Sequence, residues 1–225
     1  MDGARAQMSL PLNGRGAFDR MNFIQSDRNR RAVEALESWP EWPGGRLTLV
    51  GPEGSGKTHL ASIWALRTGA IRVEKVGADL ARLPNGPLLL EDADRGVADE
   101  LLFHLINRAG ADGGLLLTAR TPPRDWPATL PDLRSRLNAL LAVDIGSPDD
   151  AVLEGLLRNL FRERHIRPDP DLLPYLLRRM ERTAPAARAL VDRLDEAAYA
   201  AGRGVTRALA RELLEAGEAS GDLFE

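Results

Sequence analysis

The sequence predicts an α/β domain built on a parallel sheet with helices on both faces, followed by a small all-helical domain. Three observations carry this. Short apolar runs at residues 47–50, 88–90 and 115–117 alternate with stretches of helical periodicity, the pattern of strand–helix–strand units. The runs are continuously apolar, as strands covered on both faces are. After Gly146-Ser147-Pro148 the strand-like runs stop and helical periodicity alone continues.

The elements follow in order. Residues 1–16, with Gly3, Pro11, Asn13, Gly14 and Gly16, read as a flexible tail. A helix is expected over 29–39, with Ala32, Val33, Ala35 and Leu36 as its apolar stripe and Pro40 and Pro43 ending it. Strands are expected over 46–50, 71–74, 88–90, 115–118 and 140–145. Val97, Leu101, Leu102, Leu105 and Ile106 mark one helix between them. Asp149-Asp150 supply acids for a first helical turn, and Val152, Leu153, Leu156, Leu157, Leu160 and Phe161 form its apolar face. Three more helices are expected near 171–182, 185–200 and 207–216. The expected organisation is a tail (1–16), an α/β domain (17–146) and a helical lid (147–225).

Gly51-Pro52-Glu53-Gly54-Ser55-Gly56-Lys57-Thr58 fits G-x-x-x-x-G-K-[ST], the phosphate-binding P-loop. An apolar run precedes it, and a helical pattern through Leu60, Ile63, Trp64 and Leu66 follows. This is the strand–loop–helix setting the motif needs. The glycines let backbone N–H groups turn toward a polyphosphate, and the helix starting near Gly56 adds its positive end. Lys57 would reach the β- and γ-phosphates, and the Thr58 hydroxyl would ligate Mg²⁺.

Composition narrows the classes. The chain has 225 residues, 44% hydrophobic, with a net charge of −3, which fits a globular protein. No strongly basic block is present, so sequence-specific DNA binding is not expected. There is no cysteine, which excludes disulfides and thiolate chemistry. His59, His104 and His165 are scattered without metal-ligand spacing. No apolar run approaches a membrane span, so a cytoplasmic location is the default.

Within the tail, Gln7-Met8-Ser9-Leu10-Pro11-Leu12 places two leucines around a stiffening proline. Exposed apolar clusters often mark docking sites. The plain alternative is a tail folded back on its own domain. The peptide resembles the clamp-binding motif of bacterial proteins that dock on the sliding clamp.

A P-loop domain followed by a helical lid resembles the AAA+ ATPases. Phe23-Ile24-Gln25-Ser26-Asp27-Arg28-Asn29-Arg30 is similar to the segment ahead of the P-loop in the DnaA initiator family, whose backbone borders the adenine. Leu117-Thr118-Ala119-Arg120-Thr121-Pro122-Pro123 resembles that family's sensor 1 strand and proline pair. Leu130-Pro131-Asp132-Leu133-Arg134-Ser135-Arg136-Leu137 resembles its arginine-finger segment. Residues 182–194 resemble the start of its third lid helix, with Arg188 at the sensor 2 position. The end of the chain is acidic (Glu212, Glu215, Glu218, Asp222, Glu225), so the initiators' basic helix-turn-helix domain is not expected. With the clamp peptide, this combination resembles the Hda-type regulatory inactivators of DnaA.

The resemblance implies a cofactor, ADP or ATP with Mg²⁺, held by Phe23, Ile24, Gly51, Gly54, Ser55, Gly56, Lys57, Thr58, His59 and Arg188. It implies two partners, the sliding clamp through residues 7–12 and DnaA through Arg136, with a homodimer left open. Arg136 is the candidate finger acting in trans and Arg134 the second choice, and both arginines could instead be solvated loop residues. The Pro-Asp-Leu stretch before them reads as a short exposed connection between two buried strands. At the end of the 88–90 strand Glu91 takes the place of the metal-directed Asp, followed by Asp92. Arg120 replaces an Asp at sensor 1. Both departures imply weak hydrolysis in the chain's own site. Asp94 reads as a solvated helix cap, His59 as a packed or helix-surface residue, and His104 as packing or a partner contact. The function expected is a nucleotide-bound regulator, with ADP favoured, that stimulates hydrolysis of initiator-bound ATP and prevents re-initiation. The alternatives are a self-sufficient AAA+ ATPase, such as a helicase loader or transposition helper, and a non-catalytic scaffold on the clamp.

Overall fold

The computed structural model describes residues 23–75, 85–110 and 113–220, with side chains to residue 216. The peptide at residues 7–12 lies outside the described residues. Five strands, β1 (Arg46–Val50), β2 (Ile71–Arg72), β3 (Leu88–Leu90), β4 (Leu115–Ala119) and β5 (Ala142–Asp144), pair in parallel in the order β2-β3-β4-β1-β5. The α/β class with a parallel sheet is therefore the one the chain adopts.

Strand residues alternate between the two faces, and each face receives a helix pair. On one face Leu47, Leu49, Leu89 and Leu116 pack against α1 (Arg30–Glu37) and α2 (Lys57–Thr68) through Ala32, Leu36, Leu60 and Trp64. Trp64 is 1% exposed, stacked on Trp42 at 5.2 Å between ring centroids. Burying a large apolar side chain this fully contributes about 1.5–3 kcal/mol. On the other face Leu88, Leu90, Leu115 and Leu117 meet α3 (Asp99–Arg108) and α4 (Pro131–Asn138).

Four further helices, α5 (Asp150–Glu163), α6 (Leu172–Leu177), α7 (Ala184–Ala201) and α8 (Arg207–Ser220), enclose a third core around Leu157, Phe161, Leu176 and Leu194. Three starts are capped by side chains, that of α8 by Thr206, which accepts from the Leu209 N–H at 3.3 Å. Asp149 accepts from the Val152 N–H at 2.9 Å, and Thr183 accepts from the Ala186 N–H at 3.2 Å, each worth about 1 kcal/mol.

The structure corrects two local expectations. Residues 131–138 are not an exposed connection but the helix α4, with Pro131 at its first turn and Leu133 and Leu137 fully buried one turn apart. Those are ordinary helix signals in a short segment. The last strand is three residues long and largely exposed, because β5 lies at the edge of the sheet. Among the described residues no helix is long and apolar enough to cross a membrane.

Candidate functional site

The P-loop leaves the C-terminal end of β1. Gly54 (φ +71°) and Gly56 (φ +97°) both take left-handed backbone, which other residues adopt only with strain. Gly56 is the cap from which α2 starts, and Lys57 and Thr58 are its first residues. Lys57 is buried, at 7% exposure, and its Nζ donates to the carbonyls of Gly51 and Pro52 at 2.7 Å each. Ser55 Oγ lies 3.4 Å from it. The ammonium thus sits inside the curve of the loop, where an anion would find it. Burial holds the Lys57 pKa below the usual lysine range, with Arg120 adding to this and Asp92 opposing it.

The strand order decides what faces the loop. β4 lies between β1 and β3, so the segments after these three strands converge. Asp92 follows β3 at φ +48°, with its N–H donating to Thr118 Oγ1 at 3.0 Å, and it lines a cavity with the P-loop. Glu91 does not line that cavity. Its carboxylate pairs with Arg72 of β2 and opens on a separate depression with Val73 and Lys75. Arg120, just after β4, lines the cavity and pairs with Glu53 of the P-loop. Asp94 is not a solvated cap. Its Oδ2 accepts from the N–H groups of Arg120 (2.9 Å) and Thr121 (3.3 Å), which fixes the turn after β4.

The cavity, about 440 Å³, runs from these charged groups to an apolar end made by Phe23, Ile24, Pro148, Val152 and Leu156. Ile24 packs so closely on α5 that a Cβ at Gly155 would lie 2.6 Å from its Cδ1. Phe23 meets the His59 ring edge-on at 5.6 Å. Asn29, which sequence reasoning passed over, pins this segment: its Nδ2 donates to the Ile24 carbonyl and its Oδ1 accepts from the Ser26 N–H, both at 2.9 Å. An asparagine directly before a helical run was the available signal. From the lid, Ala184, Pro185 and Arg188 of α7 close the same cavity.

Of the sequence-predicted residues, Phe23, Ile24, Gly54, Ser55, Gly56, Lys57, Thr58, His59, Asp92 and Arg188 line one cavity. Arg136 does not. It sits in the last turn of α4, its guanidinium 5.0 Å from the centroid of the Phe103 ring. The Arg46 guanidinium, at the start of β1, has its pKa lowered by burial and by the nearby Arg136 charge. Arg136 is in the last turn of the helix that leads into the start of β5, parallel to β1, so it lies toward the strand end from which the P-loop does not emerge. Arg134 is tied down locally, donating to the Arg124 carbonyl at 3.1 Å. Among the described residues no group of three or more His, Asp or Glu could hold a metal alone.

No protein-family model matches the chain. It is similar to the chromosomal replication initiator protein DnaA of Thermomicrobium roseum, 26% identical over 239 residues covering 92% of this chain and 51% of the relative. The chain thus spans about half the length of the curated relatives it matches. Domain III of the Thermotoga maritima replication initiation protein DnaA superposes with a TM-score of 0.72 at 20% identity, covering 88% of this chain and 95% of that one. The fold is that of the AAA+ domain of DnaA. AMPPCP-bound DnaA from Aquifex aeolicus superposes with a TM-score of 0.61 at 18% identity, over 78% of this chain and 64% of that one. The parallel sheet with its flanking helices is thus arranged as in domain III of DnaA.

Proposed function

We propose that the chain is a DnaA-related regulator that holds an adenine nucleotide, ADP by preference, docks on the DNA-loaded sliding clamp, and stimulates hydrolysis of ATP bound to DnaA. The observation that carries this reading is a division of labour. One cavity gathers the P-loop, an apolar end and the lid arginine Arg188, while Arg136 stays outside it.

The cavity suits a nucleotide by its chemistry. The apolar end offers Phe23, Ile24, Val152 and Leu156 to a base. The cavity also offers a buried ammonium, a helix N-terminus and the Arg188 guanidinium to a polyphosphate. Thr58 and Asp92 both line the charged end and supply hard oxygen donors, so they fit the Mg²⁺ that accompanies such nucleotides. Bound there, Mg²⁺ would neutralise charge on the phosphates. Glu91, occupied by Arg72, is displaced from that role, and Asp92 is the acid we assign to it.

Weak turnover in the chain's own site agrees with these positions. With Glu91 turned to Arg72 and Arg120 engaged by Glu53, Asp92 is the one acid of the pair after β3 that lines the cavity. Arg136, by contrast, lies outside the cavity, half-buried against Phe103, which supports a role away from the chain's own nucleotide. Phosphoryl transfer needs charge stabilisation at the γ-phosphate more than it needs covalent chemistry, and a donated arginine supplies it. The test follows radiolabelled ATP on DnaA with and without this protein and DNA-loaded clamp. Faster loss of ATP only when both are present is expected. Hydrolysis unaffected by the protein would refute the reading.

A further inference from the structure

We propose that Glu53 and Arg120 form a charge latch across the phosphate end of the cavity, one that biases the site toward a nucleoside diphosphate. The inference rests on the nucleotide-site reading above and adds how the site would tell two nucleotides apart.

Glu53 stands in the P-loop, and Arg120 follows β4, between the strand that feeds the loop and the strand that ends in Asp92. Both line the cavity beside Lys57. The Arg120 backbone is fixed by Asp94, through its own N–H and that of Thr121. Its guanidinium is therefore the part left to move. The paired side chains are 39% and 69% exposed, and an ion pair so open to water is weak and exchanges readily.

A diphosphate satisfies the loop N–H groups and Lys57 without touching this pair. A third phosphoryl group would extend past Lys57 into the part of the cavity that Glu53, Asp92 and Arg120 also line. That places fresh negative charge beside two carboxylates, Glu53 and Asp92. The remedy within reach is Arg120, and recruiting it leaves Glu53 unpaired next to the polyphosphate. Triphosphate binding is thus penalised by Glu53 and rescued by Arg120, while diphosphate binding is indifferent to both.

The experiment titrates the full chain with ADP and with AMPPCP and reads the ratio of the two dissociation constants. Glu53→Gln should shift the ratio toward the triphosphate analogue by about tenfold, the scale of one charge-assisted contact. Arg120→Gln, which keeps the backbone bonds to Asp94, should shift it by about as much toward ADP. The two effects are opposite in sign, so the double variant, which has neither the penalty nor its rescue, should return close to the ratio of the unmodified protein. Thermal melts of each variant establish that it is folded. An unchanged ratio in both single variants, with ADP still bound, overturns the latch and leaves the nucleotide site standing. Failure of the unmodified protein to bind either nucleotide overturns both.

Discussion

The carbonyl of Gly54 accepts a hydrogen bond from the Ala184 N–H at 3.4 Å, so the P-loop touches the first residue of the lid helix α7. The approach is close. A Cβ at Gly54 would lie 2.7 Å from Thr183 Cβ and 3.1 Å from Pro185 Cδ. The loop that would hold phosphates and the helix that carries Arg188 are one packed unit. A change of loop shape on nucleotide binding has a direct path to the lid.

Gly54→Ala tests that contact. The substitution forces an L side chain into left-handed backbone, at about 1–2 kcal/mol, and pushes Thr183 away. If the loop relieves that strain by leaving the left-handed turn, restoring the turn on binding weakens nucleotide affinity by about tenfold for each 1.4 kcal/mol. Titration with a fluorescent ADP checks this. Unaltered affinity would mean that loop and lid do not share the site.

Lys57 gives a prediction with a pH sign. Lys57→Ala should abolish nucleotide binding. In the unmodified protein a bound polyphosphate raises the lysine pKa above its value in the free protein. The lysine's contribution to affinity is then complete below the free-protein pKa and declines as pH rises through it. Burial sets that free value below the usual 10.5. Affinity measured across alkaline buffers should therefore begin to drop before pH 10.5. Affinity that held flat to that pH would argue that Lys57 does not bind phosphate.

Much of this was legible in the sequence, for physical reasons. The P-loop is contiguous and its glycines have backbone duties, so Gly51 to Thr58 could be read directly. Leu115, Leu116 and Leu117 are buried on both faces and read as a central strand. The failures are relations across distance. Nothing local tells that Glu91 turns to Arg72 from 19 residues away, or that Asp94 turns to the amides of Arg120 and Thr121. The helix α4 was missed because eight residues with one buried pair, Leu133 and Leu137, carry little periodicity.

Replacing both Leu10 and Leu12 by Ala should abolish capture by the sliding clamp while ADP affinity stays as it was. A pull-down on immobilised clamp, beside an ADP titration, checks both halves. Full retention on the clamp would refute the tether.

Asp99 ties α3 to the entry of α4, the two helices that bring Phe103 and Arg136 together. Its Oδ2 accepts from Thr129 Oγ1 at 2.6 Å and from the Thr129 N–H at 2.7 Å. These bonds hold the Asp99 pKa below its usual 3.8, the Thr129 hydroxyl contributing most. A lowered carboxyl pKa stabilises the fold above the unfolded value and loses that contribution as pH falls through the folded one. Asp99→Ala should cost about 1 kcal/mol at neutral pH. The gap in denaturant midpoint between variant and unmodified protein should close below pH 3.8. A gap that persisted in acid would place the effect elsewhere.

Whether Arg136 acts in the ATP site of DnaA is decided by one assay. DnaA carrying labelled ATP is mixed with DNA-loaded clamp and either the unmodified protein, Arg136→Ala, Arg136→Lys or Arg134→Ala. A finger contributes to the transition state, so its loss affects rate rather than assembly. Arginine fingers are worth on the order of 10³ or more in rate in well-studied NTPases. Arg136→Ala should keep ADP and clamp binding but lose most of the stimulation. Arg136→Lys fails similarly, because an ammonium lacks the guanidinium fork. Arg134, already bonded to the Arg124 carbonyl, matters less. Stimulation by Arg136→Ala equal to that of the unmodified protein would rule out Arg136 as the finger.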